Sequence, residues 1–289
     1  MTPAAKRFFA SHAADADPAL ESAFFSALKM RNGTFKLTHP SRFAAVDAEF
    51  GPLVGERLRG PCAVLDIGAS TGLTTIELAE SLAAHGAKPQ IVATDLFLDA
   101  HLVDLAPGVH VLADPEGWPL QYGVGGVGIR SWVRRLDYVT LAVLPRLLVR
   151  ALLQGKLRRR IAAGKTQPVR MESRALRGRP IQLVQSDIFE PEPAFDGRFD
   201  FIRAANILNL GYFAPDRISL AIANIRRYCR GAGALLLVVK TGGAQHDGTL
   251  FEMQPSGRFL ALARIGQGSE IEPLVTGEAL APDDWRRAS

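Results

Sequence analysis

Cysteine is scarce in this chain: two in 289 residues, Cys62 and Cys229, far apart and without a CxxC pair. That excludes a disulfide framework and a cysteine-held zinc site, and two reduced thiols fit a cytoplasmic protein. The six histidines, at 12, 39, 85, 101, 110 and 246, form neither HxxxH nor HExxH, so no metal site is expected. His39 and His246 fall in expected loops and are the two that could act as bases. No GxSxG marks a nucleophile elbow. No run approaches the roughly 20 uncharged apolar residues that a bilayer-spanning helix needs. The N-terminus, MTPAAKRFFASHAADADPALESAFF, is interrupted by charge before any secretory apolar region forms.

What is present is a large apolar fraction, 47%, against 22% charged residues, enough for a sizeable buried core. The net charge of +5 is unevenly spread. Between Pro145 and Pro180 stand eleven Lys or Arg and one acid, Glu172, so the remainder of the chain is net acidic. The basic character belongs to one segment.

Hydrophobic periodicity points to βα units. AVLDI (63–67) is an apolar run ending at glycine, as a buried parallel strand should be. Leu73, Ile76, Ala79 and Ala83 then share a helical face, and Gly86 suits a C′ cap. IVATD (91–95), IQLVQSD (181–187), RFDFIRAAN (198–206) and ALLLVVK (234–240) read as four further strands. Pro215 starts a helix carrying Ile218, Ala221, Ile222, Ile225 and Cys229. TLFEM, the turn QPSG and RFLALARI make a terminal hairpin. The expected fold is α/β: a doubly wound, mostly parallel seven-stranded Rossmann-like sheet with a terminal antiparallel hairpin and an inserted α+β lid. The boundaries follow: an N-terminal helical segment over 1–58, the core over 59–100 and 181–289, and the insertion over 101–180. The insertion contains a hairpin (VHVLADPEGWPLQYG), a glycine-rich link (GVGGVG) and one or two apolar-basic helices. A structureless loop of that length would be unusual.

Chemistry concentrates at AVLDIGASTGLTT (63–75). Glycines at 68 and 72 allow a sharp turn and close ligand approach, a helix dipole follows, and open α/β sheets bind ligands at strand C-terminal ends. The spacing is GxxxG, which departs from the dinucleotide GxGxxG at this position. Asp95, at the end of the second strand, reads either as a ligand for a hydroxyl pair or as a helix N-cap. Asp187 reads as a ligand or as a turn opener, and Asn206 and Asn209 as site or loop residues.

DIGASTG resembles motif I of the class I S-adenosylmethionine (SAM)-dependent methyltransferases. That resemblance implies SAM as cofactor, with Asp66, Gly68, Ala69, Ser70 and Gly72 along its methionine part. It further implies Asp95 and Leu96 at the ribose, Asp187 and Ile188 at the adenine, and Asn206 facing the same pocket. FDFIRAANILNLGYF (199–213) resembles a stretch of chemotaxis-receptor methyltransferases, with Asn206 on their asparagine but Ala205 in place of the preceding arginine. Asn206 and Tyr212 are accordingly the expected catalytic residues.

The expected activity is methyl transfer, as O-methylation, to a small-molecule or lipid-like acceptor. The alternatives are a protein carboxylate methyltransferase, a dinucleotide-dependent oxidoreductase and a non-catalytic SAM-binding module. The basic segment has two readings. As a lid helix it packs Leu144, Leu148, Ala151 and Leu152 onto the core, with Arg146 and Arg150 in solvent. As a peripheral element, 145–160 meets anionic membrane from the cytoplasmic side. Nucleic acid is not expected as a partner, because no aromatic platforms interleave these arginines.

Overall fold

The computed structural model describes residues 2–11, 17–37, 39–133, 143–242 and 245–278. In chain order the elements are α1 (Ala5–Ala10), α2 (Pro18–Ser26), α3 (Ala44–Arg57), β1 (Gly60–Ile67), α4 (Leu73–Ala84), β2 (Ala87–Asp95), β3 (Asp99–Ala106) and β4 (Val109–Ala113). Then come β5 (Pro119–Val124), β6 (Val127–Arg130), α5 (Val143–Ala162), β7 (Gln167–Arg170), β8 (Ile181–Gln185), β9 (Phe201–Ala205), α6 (Pro215–Tyr228), β10 (Leu235–Gly242), β11 (Gln245–Met253), β12 (Phe259–Ile265) and α7 (Glu272–Thr276).

They form two compact units, residues 41–96 with 178–289, and residues 1–40 with 97–177. The first is built on a seven-stranded sheet in the order β12-β11-β10-β9-β1-β2-β8. Its central pairs are parallel and its last three strands form an antiparallel meander. This is the expected doubly wound sheet with its terminal hairpin. Alternate residues of one strand feed opposite faces. Leu65, Ile202 and Leu236 join Ile218, Ile222 and Ile225 of α6 on one side. Val64, Phe201 and Leu235 join Val46, Phe50 and Val54 of α3 and Leu78 and Leu82 of α4 on the other. Chain order reverses at β1, from which β2 lies one way and β9 the other. A crevice at the carboxyl ends belongs at such a point.

The division differs from the sequence-based boundaries at 58, 100 and 180. Helix α3 belongs to the parallel sheet because its apolar face closes the sheet's α4 side. Gly55 permits the contact: a Cβ there would lie 2.3 Å from the Cβ of His85. The first forty residues go with the insertion, since Phe8, Phe24, Phe25 and Leu28 share a core with Leu102, Leu112 and Leu120.

That second unit carries an antiparallel sheet in the order β6-β5-β4-β3-β7, including the expected hairpin. Backbone bonds from Ala4 N–H to Gly126 and from Gly128 N–H to Thr2 tie the N-terminus to it. Helix α5 corrects the packing expected of the basic segment. Leu144, Leu148 and Leu152 are exposed (63%, 60% and 69%), whereas Leu157, with Leu153 and Ile161, packs against Val103, Val111 and Ala113. The apolar surface that the sheet offers meets the helix's C-terminal half. The side chain of Arg146 lies outside the described residues. No described helix is long and apolar enough to cross a membrane.

Candidate active site

At the end of β1 the chain turns through Gly68, Ala69, Ser70, Thr71 and Gly72 into α4. Gly68 and Gly72 have φ of 78° and 84°, and Ser70 has 57°. The two glycines take this conformation freely, so Ser70 is the one residue of the turn held in a sparsely populated backbone region. A Cβ at Gly68 would lie 2.2 Å from Ile207 Cγ1, so glycine is required there for space as well as conformation. The turn is held from β2: Gly68 and Ala69 N–H both donate to the Thr94 carbonyl (2.8 and 2.9 Å). Ser70 N–H donates to Asp95 Oδ2 (2.9 Å). Asp95 is thus neither a helix cap nor a bystander; it joins the ends of the two strands. Gly72 caps α4 with no side-chain bond, which leaves the amides of the helix's first turn to an outside acceptor.

The neighbouring strand ends complete the array. Ser186 N–H donates to the Asp95 carbonyl (3.1 Å). Asp187 opens the next turn by accepting Phe189 N–H (3.0 Å), and the Ile188 carbonyl accepts from Asn224 Nδ2 (2.8 Å). Leu96 is 39% exposed beside Asp95. Asn206, left-handed at φ 60°, clamps the end of β10: its Oδ1 accepts Thr241 N–H (2.7 Å), and its Nδ2 donates to Thr241 Oγ1 (3.3 Å). His246 Nδ1 lies 3.2 Å from the same hydroxyl. Burial, with the charge of Arg42, lowers the His246 pKa below its ordinary value, which favours the neutral ring. Tyr212 stands in the turn after β9 and is 69% exposed; its N–H donates to the Asn209 carbonyl.

Asp66 is placed differently from the expectation that it lines a ligand. It is 1% exposed and gripped by Arg203, also 1% exposed. Nε and Nη2 of Arg203 each donate at 2.8 Å, and Thr75 Oγ1 donates at 2.5 Å. The pair is directly in register, Asp66 beside Arg203 across β1 and β9. Arg203 Nη1 is 3.9 Å from Asp47 Oδ1 and, with Glu77 Oε2, is buried without a hydrogen-bond partner. Burial pulls the guanidinium pKa down, but the charge and hydrogen bonds of Asp66, then Asp47 and Glu77, raise it above its ordinary value. Burial pushes Asp47 up to about 6, against the pull of Arg203.

Sequence reasoning missed this network, although one signal was visible. An arginine inside the apolar run FIRAA requires a buried carboxylate, and the nearest strand offers Asp66. The cysteines supply no nucleophile: both are buried, and burial pushes the Cys229 thiol up to about 12.

No protein-family model and no curated protein matches the chain. Solved structures do. A sugar N-methyltransferase from Streptoalloteichus sp is 13% identical with a TM-score of 0.33, covering 85% of this chain and 77% of its own. The CMeT domain of the citrinin polyketide synthase is 16% identical with a TM-score of 0.28, covering 62% and 28%. The cyclase SpnF is 16% identical with a TM-score of 0.32, covering 70% and 49%. The alignments take in 28%, 44% and 49% of the length of the first three structures.

Proposed function

We propose that the parallel-sheet unit binds SAM at its strand ends and catalyses methyl transfer to a small-molecule or lipid-like acceptor. The observation that supports this most is the glycine turn 68–72, left-handed at Gly68, Ser70 and Gly72, fastened by Asp95 and leading into the N-terminus of α4, which no side chain caps. The donor set suits the cofactor's parts. The amides of the first turn of α4 suit a carboxylate, the Asp95 carboxylate suits a diol, and Leu96 and Ile188 offer apolar surface to a flat base. In this reading the turn of Gly68, Ala69, Ser70 and Gly72 lines the amino-acid end by close backbone approach, Asp95 and Leu96 hold the ribose, and Asp187 and Ile188 the adenine. Asp66 contributes by anchoring β1 to β9 rather than by touching the ligand.

When bound, the cofactor supplies a methyl group already electrophilic on sulfonium. The protein then has to align the acceptor and exclude water. Asn206 and Thr241 set one wall, and Tyr212 sits on a turn that can approach an acceptor. His246, whose neutral form burial favours, is suited to take a proton from an acceptor hydroxyl, which fits O-methylation. Calorimetry with SAM and with NAD tests the cofactor, and Asp95→Ala should weaken SAM binding by about 1–3 kcal/mol. Equal binding of NAD, or unchanged SAM affinity in folded Asp95→Ala protein, would refute the assignment. Turnover of labelled SAM in cell extract separates the enzyme from a non-catalytic binder.

A membrane contact for α5 is a second reading, favoured by the exposed Leu144, Leu148 and Leu152 on a helix whose last turn holds Arg159 and Arg160. Anionic vesicles should then sediment the protein, and salt should weaken the effect. No sedimentation at low salt removes this reading alone.

A further inference from the structure

We propose that the antiparallel-sheet unit carries a binding site of its own, for a small carboxylate built on a flat apolar ring. The reading is independent of methyl transfer. The site is a 270 Å³ cavity lined by Lys29, Arg31 and Arg150, by Trp118 and Trp132, and by Leu147. That volume is close to the small end of ligand pockets, about 300 Å³. Among the described residues three cations and no acid line it, so an anion is the complementary occupant.

The cations are positioned rather than trailing in solvent. The Arg150 guanidinium lies over the Trp118 ring at 4.5 Å, and Lys29 over Phe35 at 5.4 Å. Arg31 lies over Phe97 at 5.7 Å, and its Nε is 3.7 Å from the buried Asp114. Stacking on a ring holds a guanidinium flat, so less entropy is lost when it grips a carboxylate with two parallel bonds. Asp114 serves both walls, since its Oδ1 also accepts Trp118 N–H at 2.8 Å.

The aromatic wall is equally fixed. Trp132 Nε1 donates to the Ala27 carbonyl (2.9 Å), and its ring meets Phe35 edge-on at 5.1 Å. Arg130 lies over the same ring at 5.2 Å, so the indole is held in place from several sides. Two indoles and Leu147 match a flat apolar body, and the arginines match a planar anion. Together they select an aryl carboxylate over a bare inorganic anion.

The test is calorimetric titration of the full chain with benzoate, with benzamide, acetate and inorganic phosphate as comparators. Benzoate should saturate with a Kd of about 1 mM or tighter, and the three comparators should each bind at least tenfold more weakly. Arg31→Gln and Arg150→Gln should each weaken benzoate at least tenfold in protein that remains folded, with SAM affinity unchanged. The indole N–H resonance assigned to Trp118 by Trp118→Phe should shift on titration. Benzamide binding as tightly as benzoate would overturn the anionic requirement, and phosphate binding as tightly would overturn the ring. Unsaturable benzoate heat, or affinity unaffected in the Arg31→Gln/Arg150→Gln double variant, would overturn the site.

Discussion

Replacing Arg203 with methionine should expose how the sheet centre is held together. The guanidinium gives Asp66 two bonds of 2.8 Å and the Thr74 carbonyl one of 3.0 Å. Both partners of the ion pair are 1% exposed. Removing the cation leaves Asp66 buried and unpaired, with Asp47 nearby, a loss of about 3–5 kcal/mol. Methionine fills most of the volume and can rest on Phe43, whose ring Arg203 now covers at 5.3 Å, so a cavity adds little. The assay is urea unfolding of wild type, Arg203→Met, Asp66→Asn and the double variant. Because each single change strands a buried partner, the double variant should lose less than the sum of the two, with a coupling of at least about 2 kcal/mol. A loss below about 1 kcal/mol for Arg203→Met, or additive losses, would falsify the account of a buried pair joining β1 to β9.

Asp47→Asn tests the same cluster through pH. The folded pKa is raised from 3.8 to about 6, so the stability Asp47 contributes is complete below 3.8 and is lost as pH rises through about 6. The variant should therefore gain on wild type by up to about 3 kcal/mol between pH 4 and pH 7; a constant difference across that range contradicts the raised pKa. Gly68→Ala meets a φ of 78° and Ile207 Cγ1 at 2.2 Å and should cost about 1–3 kcal/mol from the backbone alone. Adding Ile207→Ala should relieve only the steric part in a melting series. In the other unit Leu157, fully buried against Val103 and Val111, should cost about 2–5 kcal/mol as alanine, whereas Leu152→Ala, 69% exposed, should stay within about 0.5 kcal/mol. Equal losses would mean that the helix faces are reversed.

Local sequence decided the parallel sheet. Apolar runs of strand length ending in glycine or acid, separated by helices with Pro215 in the first turn and Gly86 past the end, carry their period within a few residues. No distant partner is needed to read them. The turn 68–72 was legible for the same reason, since closely spaced glycines before a helix constrain the backbone wherever the rest of the chain goes. What tertiary structure alone decided depends on residues far apart in sequence. Asp66 meets Arg203 across 137 positions, because β9 returns to pair with β1 after the whole insertion has been made. That pairing gives Asp66, expected along the ligand, a place in a buried ion pair between β1 and β9. Asp95 likewise acquired Ser70 only when β1 and β2 came into register. The first forty residues joined the inserted sheet because Phe8, Phe24 and Phe25 find apolar partners there, a preference no local period encodes. Helix α5 shows the limit most directly. The period of its sequence picks out one apolar face, Leu144, Leu148, Ala151 and Leu152, yet the sheet's Val103, Val111 and Ala113 bury Leu157 instead while the Leu144–Leu148–Leu152 stripe stays exposed.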